Sequence, residues 1–201
     1  MSDPIRIDTP HGPAQAHVHL ADAPRAALVL GHGAGGGVGA RDLVAVTEVA
    51  VAEAVSVALV EQPYLVAGRR APAPPNQLDA AFAAAIDHLR AGDLEGLPLI
   101  VGGRSLGARV ACRTAAAAGA TAVLCLAFPV HPPGRPEKSR LEELDAVTLP
   151  TLVVQGESDP FGMPPPAANR EVATVAGDHG LKKDLDAVRA AVRAWLARQA
   201  A

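Results

Sequence analysis

The segment Gly103-Arg104-Ser105-Leu106-Gly107 has the residue types and spacing that most directly suggest chemistry. It matches the pattern G-x-S-x-G, follows the apolar run LPLIV and opens the helix-like segment SLGARVACRTAAAAG. A nucleophile on a tight strand-to-helix turn has a strained backbone, and neighbouring segments pack so closely that the flanking residues should lack side chains. Gly103 and Gly107 meet that requirement. We therefore expect Ser105 to be a nucleophile rather than part of a chance glycine-rich turn.

A serine hydroxyl attacks a carbonyl efficiently only when a base takes its proton and a third group holds that base. After Ser105 the chain offers Asp159 in VVQGESDPFG and His179 in VAGDHG, in the order nucleophile, acid, base. Each follows a predicted strand by a few residues, which places both on the same rim of a sheet as Ser105. The competing interpretations are a turn-forming role for Asp159 and a surface-loop role for His179. We expect a catalytic triad, with Glu157 and Asp178 as fallback acids.

The anionic intermediate of such a reaction also needs backbone N–H donors, each contributing about 3 kcal/mol to lowering the barrier. One donor is expected from Leu106, the residue after the nucleophile. The second should come from the glycine-rich loop 31–37, GHGAGGG, which follows the apolar run ALVL. We expect Ala34 to be that donor, with Gly35 as second choice.

The same loop supports an alternative function, because Gly31, Gly33 and Gly36 fit the G-x-G-x-x-G pattern of dinucleotide-binding domains. Glu61 could then bind a ribose at the end of the next strand. Against this, the glycines come after an edge hairpin, whereas a dinucleotide-binding domain opens with them. That domain also gives no role to Asp159. A phosphate-binding Walker loop is excluded because no Gly-Lys-Ser/Thr follows the glycines.

Other polar residues suggest weaker sites. His17 and His19 share one face of a predicted strand and could bind a metal, but no third ligand is evident, so exposed edge-strand histidines are favoured. Arg69 and Arg70 could recognise a substrate carboxylate, although solvated surface arginines are the commoner case.

Composition excludes several classes of protein. A net charge of -3 and a pI near 6.1 do not provide the excess of basic residues that nucleic-acid binding requires.

The cysteines and the apolar segments give further exclusions. Cys112 and Cys125 lie in apolar runs, which favours buried hydrophobic residues over a disulfide. The first ten residues lack the features of a signal peptide, so we expect a cytoplasmic protein. The apolar stretch 43–60 contains two glutamates, which favours a helix followed by a strand over a membrane span.

These side chains must be positioned by strands and helices that alternate along the chain. Several strands are apolar at every position, which is typical of parallel strands covered on both faces. The segments before residue 26 have no room for a helix and predict an antiparallel hairpin at the sheet edge. Helices are predicted over 76–90, with Asn76 as N-cap, and around residues 185–196. Strands are predicted at 14–20, 26–30, 57–60, 97–101, 122–127, 151–154 and 172–175. No internal repeat or linker is evident, so we expect one α/β domain over residues 1–201.

Over residues 26–195, the chain resembles compact α/β-hydrolases related to dienelactone hydrolases. Within them it is similar to a predicted-hydrolase group that includes a testis-expressed protein family and a subunit of a histone acetyltransferase complex. The segments that carry the resemblance are LGHGAGGG, EQPYLVAGRR, GGRSLGARVA, FPVHPPGRPEKSR, LPTLVVQGESDPFG and GDHGLKK.

The resemblance implies Ser105 as nucleophile, Asp159 as acid, His179 as base, oxyanion support from the loop 32–34, and no cofactor. Dienelactone hydrolases proper carry cysteine where this chain has Ser105, so dienelactone is not the expected substrate. Residues of the same segments are the expected substrate contacts: His32, Tyr64, Arg69, Arg70 and Arg104.

We therefore expect an α/β-hydrolase fold and a serine hydrolase whose partner is a small ester or thioester. The stretch 128–140, where larger relatives insert a lid, is short and proline-rich, which favours an open site and soluble rather than lipid substrates. The alternative is a non-catalytic binding protein of the same fold that docks a partner on His131-Pro132-Pro133.

Overall fold

The computed structural model describes residues 3–199 and contains one sheet of eight strands. The strands are β1 (Ile5–Ile7), β2 (Ala14–His19), β3 (Ala26–Gly31), β4 (Val55–Glu61), β5 (Leu99–Arg104), β6 (Ala122–Leu126), β7 (Thr151–Gly156) and β8 (Arg170–Val175). Their order across the sheet is β1-β2-β4-β3-β5-β6-β7-β8. Strands β3 to β8 are parallel, and β1 and β2 form the expected antiparallel hairpin at one edge.

Within residues 3–199, six helices cover the two faces of this sheet. They are α1 (Arg41–Ala52), α2 (Pro63–Val66), α3 (Pro75–Arg90), α4 (Leu106–Thr114), α5 (Leu141–Asp145) and α6 (Leu185–Gln199). Helices α1 and α6 pack on one face, and α3, α4 and α5 contribute to the core on the other. In β3, for example, Val29 belongs to one core and Leu28 to the other, which explains why the parallel strands are apolar at every position.

The topology does not support a dinucleotide-binding domain. Numbered along the chain, the six parallel strands lie in the order 2-1-3-4-5-6, whereas the dinucleotide-binding order is 3-2-1-4-5-6. The stretch 43–60 forms most of α1 and β4, as expected. Among the helices described, none has the length and apolar character that a membrane crossing requires.

Two local predictions are wrong. Helix α3 begins at Pro75 with Pro74 as its N-cap, so Asn76 lies inside the helix. Proline suits the first helical position because its missing N–H would have no partner there. His17 and His19 are half-buried rather than exposed, because β1 pairs only with residues 14–16 and both histidines instead line a cavity with Val38 and Val44. Nε2 of His17 lies 3.6 Å from Oε2 of Glu61.

The two cysteines are buried and free, as expected. Their sulfur atoms lie 3.6 Å apart between α4 and β6, within the core.

Candidate active site

Ser105 lies on the turn between β5 and α4 and has a strained backbone. Its φ of 51° is in the left-handed region, which a residue with a side chain seldom adopts. A Cβ on Gly103 would lie 2.6 Å from the carbonyl oxygen of Gly31, and one on Gly107 would also collide with that carbonyl group. The two glycines therefore permit the close packing of β3 against the turn that holds Ser105 at the rim of the sheet.

Three side chains far apart in the sequence meet at this rim. Asp159 follows β7, and His179 follows β8. Nε2 of His179 lies 2.8 Å from Oγ of Ser105, and Nδ1 of His179 lies 2.8 Å from Oδ2 of Asp159. A hydroxyl, an imidazole and a carboxylate thus form one continuous chain of hydrogen bonds, which is the arrangement that activates a serine for attack on a carbonyl.

Asp159 is held by donors that the sequence did not reveal. Its side chain is 1% exposed. The backbone N–H of Phe161 donates to Oδ1 at 2.8 Å, and the Nε2 amide of Gln155 donates to Oδ2 at 2.8 Å. Gln155 is fully buried on β7, and its Nε2 is also within hydrogen-bond distance of two backbone carbonyls. A glutamine in a largely apolar strand was the only sequence signal for this role.

Phe161 also contacts His179, the middle member of this chain of hydrogen bonds. Its ring stacks on that of His179 with centroids 4.0 Å apart and an interplanar angle of 29°. This stacking restricts the rotation of the imidazole, which a base bonded to two partners requires.

Within residues 3–199, neither fallback acid forms a hydrogen bond or ion pair with the imidazole of His179. Glu157 and Asp178 are both exposed, and Oδ1 of Asp178 accepts a hydrogen bond from the backbone N–H of Gly180 at 2.8 Å. Asp159 is therefore the carboxylate that the structure places beside the imidazole.

The Ser105 cavity has a volume of about 370 Å³. Leu106 and Ala34 line it, and their backbones are the expected oxyanion donors. Gly35, the second choice, lines a different cavity, together with Gly33 and Arg104. The loop is braced by Tyr64, whose hydroxyl donates to the carbonyl oxygen of Ala34 at 3.1 Å.

His32 does not have the substrate-contacting position that we expected. His32 is only 2% exposed. Its Nδ1 lies 2.8 Å from the carbonyl oxygen of Gly33, and its Nε2 accepts a hydrogen bond from the backbone N–H of Gln62 at 3.1 Å. Both ring nitrogens are therefore used inside the protein. Burial lowers the pKa of this imidazole, which keeps it in the neutral form that can accept the Gln62 hydrogen bond.

Arg104 also connects parts of the protein instead of facing the Ser105 cavity. Its Nε lies 3.0 Å from Oδ2 of the buried Asp42, and its Nη2 donates to the backbone carbonyl of His179 at 3.1 Å. A Cβ on Gly33 would lie 2.7 Å from Nη1 of Arg104, so a side chain there would displace this guanidinium. Burial raises the pKa of Asp42, and the charge of Arg104 partly offsets that effect.

The remaining expected substrate contacts lie outside the Ser105 cavity. Tyr64 is 4% exposed, and burial raises the pKa of its hydroxyl to about 12. Tyr64 and Arg69 line a neighbouring cavity of about 200 Å³. Arg69 and Arg70 are exposed, so their predicted contact with substrate has no support in the cavity beside Ser105. Two arginines that we did not predict, Arg109 and Arg140, line that cavity instead.

Comparison with known proteins gives a consistent result. Residues 24–186 match a family model described as an alpha/beta hydrolase domain. No curated protein sequence matches the chain. A serine hydrolase without a lid from Xanthomonas campestris is 20% identical, with 98% of this chain and 94% of that chain covered and a TM-score of 0.81.

Two further solved structures are similar over nearly their whole length. Est1E from Butyrivibrio proteoclasticus is 18% identical, with 98% and 99% of the two chains covered and a TM-score of 0.78. A dienelactone hydrolase from Anabaena variabilis is 17% identical, with the same coverage and a TM-score of 0.76. At these identities the likeness concerns the fold.

Proposed function

The chain belongs to the alpha/beta hydrolase domain family, and from this premise we propose that it is a serine hydrolase that cleaves a small carboxylic ester or thioester. The observation that supports the proposal most is the continuous chain of hydrogen bonds from Asp159 through His179 to Ser105. The likeness to dienelactone-hydrolase-like proteins is confirmed, whereas membership of the narrower group with the testis-expressed proteins stays a prediction.

In the first half of the proposed reaction, Ser105 is acylated. Nε2 of His179 takes the Ser105 proton while Oγ forms a bond to the carbonyl carbon, and the carbonyl oxygen becomes an anion. The N–H groups of Leu106 and Ala34 stabilise that anion. As it collapses, the bond to the leaving group breaks, and His179 donates its proton to the departing alcohol or thiol.

In the second half, water regenerates the enzyme. His179 removes a proton from water, the hydroxide adds to the acyl carbon, and the bond to Oγ of Ser105 breaks as that oxygen regains the proton. Asp159 keeps the imidazole in the tautomer with hydrogen on Nδ1 and stabilises the imidazolium form. The products are a carboxylic acid and an alcohol or thiol.

The cavity beside Ser105 suits a small acyl group. About 370 Å³ lies at the small end of the range for ligand sites, and its lining is mainly apolar. The similar Xanthomonas campestris structure is described as having no lid. These observations support a short acyl group in an open site rather than a long lipid chain.

Substitution of the nucleophile tests the proposal. We expect Ser105→Ala to abolish turnover of a short p-nitrophenyl ester and to prevent labelling by a fluorophosphonate probe, with a melting temperature close to that of the original chain. Mass spectrometry of the unsubstituted chain should place the adduct on Ser105. Retained turnover in Ser105→Ala would refute the mechanism. Absence of any adduct near neutral pH would instead favour the non-catalytic binding protein.

A further inference from the structure

A row of alternating charges runs beside the Ser105 cavity and ends in an unmatched guanidinium. Nη2 of Arg113 lies 2.6 Å from Oδ1 of Asp79, and its Nη1 lies 3.1 Å from Oε1 of Glu143. Arg109 binds both oxygens of Glu143, at 2.6 and 2.7 Å. Arg140, whose side chain forms no ion pair within residues 3–199, adds a third guanidinium to two carboxylates. The group therefore has one excess positive charge.

That excess charge belongs to Arg140, because Arg109 has two of its nitrogens committed to Glu143. The backbone N–H of Arg140 donates to the carbonyl oxygen of Val130 at 2.7 Å, which fixes the start of its side chain at the cavity wall. Partial burial and repulsion from Arg109 lower the pKa of Arg140, and the charge of Glu143 offsets only part of that effect. A bound anion would offset both effects, because it supplies the charge partner that water supplies only weakly in a recess.

The wall around Ser105 and Arg140 is largely apolar, and includes Leu78, Leu106 and Phe161. A ligand that fills this cavity and reaches both the nucleophile and the guanidinium must therefore combine an apolar spacer with a terminal anion. A single excess positive charge matches a carboxylate, with charge -1, better than a phosphate monoester, with about -2. A planar guanidinium also binds a carboxylate through two parallel hydrogen bonds.

The acyl side of the substrate suits this cavity. The leaving group must lie beside His179 to receive its proton, and His179 does not line the cavity that contains Arg140. Building on the proposed function, we propose that Arg140 is a specificity-determining residue that selects esters or thioesters whose acyl group ends in a carboxylate.

Two substrates that differ in one methyl group test this inference. Mono-p-nitrophenyl glutarate carries the acyl carboxylate, and methyl p-nitrophenyl glutarate has the same chain without the charge. We expect kcat/KM to be roughly tenfold higher for the charged ester, as one partly exposed charged contact allows. Arg140→Gln should bring the ratio of the two values to about one, through a higher KM for the charged ester, and Arg140→Lys should keep part of it.

Arg135→Gln is the matched control, because Arg135 is exposed in the same segment and does not line the cavity. It should leave the ratio at its original value. Equal kcat/KM for the two esters in the original chain, or a preference that survives in Arg140→Gln, would overturn the inference.

Failure of the proposed function can be recognised separately. Turnover of the neutral ester and labelling of Ser105 report on the hydrolase whatever the role of Arg140. If neither is seen, titration calorimetry with monomethyl glutarate tests carboxylate binding at Arg140 independently of turnover. Binding to the original chain that is lost in Arg140→Gln would support the site, and absence of binding to the original chain would overturn it.

Discussion

Asp159 accepts more hydrogen bonds than a turn residue needs. Its two oxygens receive the N–H of Phe161, the amide of Gln155 and Nδ1 of His179. A carboxylate can accept all three bonds, whereas an asparagine at the same position would offer one oxygen and bring an amide group towards existing donors. The imidazole would then lose the partner that fixes its tautomer.

We expect Asp159→Asn to reduce kcat for a short p-nitrophenyl ester by roughly 10³-fold to 10⁴-fold. The melting temperature should change little, because the packing volume is nearly conserved. Glu157→Gln is the control, since Glu157 is an exposed carboxylate two residues away on the same loop. Equal losses in the two variants would show that Asp159 has no special role.

At the scale of elements, Arg104 joins three parts of the chain that are distant in sequence. It ends β5, forms an ion pair with Asp42 in the first turn of α1 and bonds the backbone of the loop between β8 and α6. The loop bond is made to the backbone carbonyl of His179 itself. We therefore propose that Arg104 is a positioning residue that acts through His179 rather than on substrate.

We expect Arg104→Met to lower kcat by roughly tenfold or more and to leave KM nearly unchanged, because the base is misplaced while the substrate cavity is intact. Kinetics on the neutral p-nitrophenyl ester measure both constants. A higher KM at unchanged kcat would instead favour direct substrate binding by Arg104.

The same substitution leaves Asp42 buried without its charge partner, which should cost about 3 kcal/mol of unfolding free energy. The double variant Arg104→Met with Asp42→Asn removes the stranded charge. It should recover most of that stability, measured by urea denaturation, but not kcat. Recovery of kcat together with stability would show that Arg104 has only a structural role.

At the scale of the whole molecule, the sheet could be predicted well from the sequence, because the evidence for each strand is local. Apolar runs such as β6 must be covered on both faces, and the order of Ser105, Asp159 and His179 follows from loops that share one rim. The parts that could not be predicted depend on how side chains from different elements meet. Gln155 gains its role only because Asp159 turns back onto β7.

His32 is the clearest failure of local evidence. A histidine in a glycine-rich loop beside a nucleophile has the sequence features of a substrate ligand. Whether its ring faces the cavity or the interior depends on a partner 30 residues away, the backbone N–H of Gln62. No pattern in the sequence reports that contact.

The buried position of His32 has a consequence for the stability of the whole protein. Its pKa in the folded chain is below the ordinary 6.5, so the unfolded chain binds a proton more readily. Protonation therefore favours unfolding as the pH falls below 6.5, and the contribution of neutral His32 is fully present only above that value. For one proton the limiting slope is about 1.4 kcal/mol per pH unit.

Between pH 6.5 and pH 5 we expect the unfolding free energy of His32→Gln to fall less steeply than that of the original chain, by up to about 1.4 kcal/mol per pH unit. The reason is that glutamine can accept the Gln62 hydrogen bond but does not titrate. Trp195, the single tryptophan, is 1% exposed on α6, so its fluorescence in urea titrations reports unfolding of the core directly. His19→Gln is the control, since burial also lowers the pKa of His19 but that residue is only half-buried. It should change the pH dependence less than His32→Gln does. Identical pH dependence in His32→Gln and the original chain would mean that burial does not hold the imidazole in its neutral form.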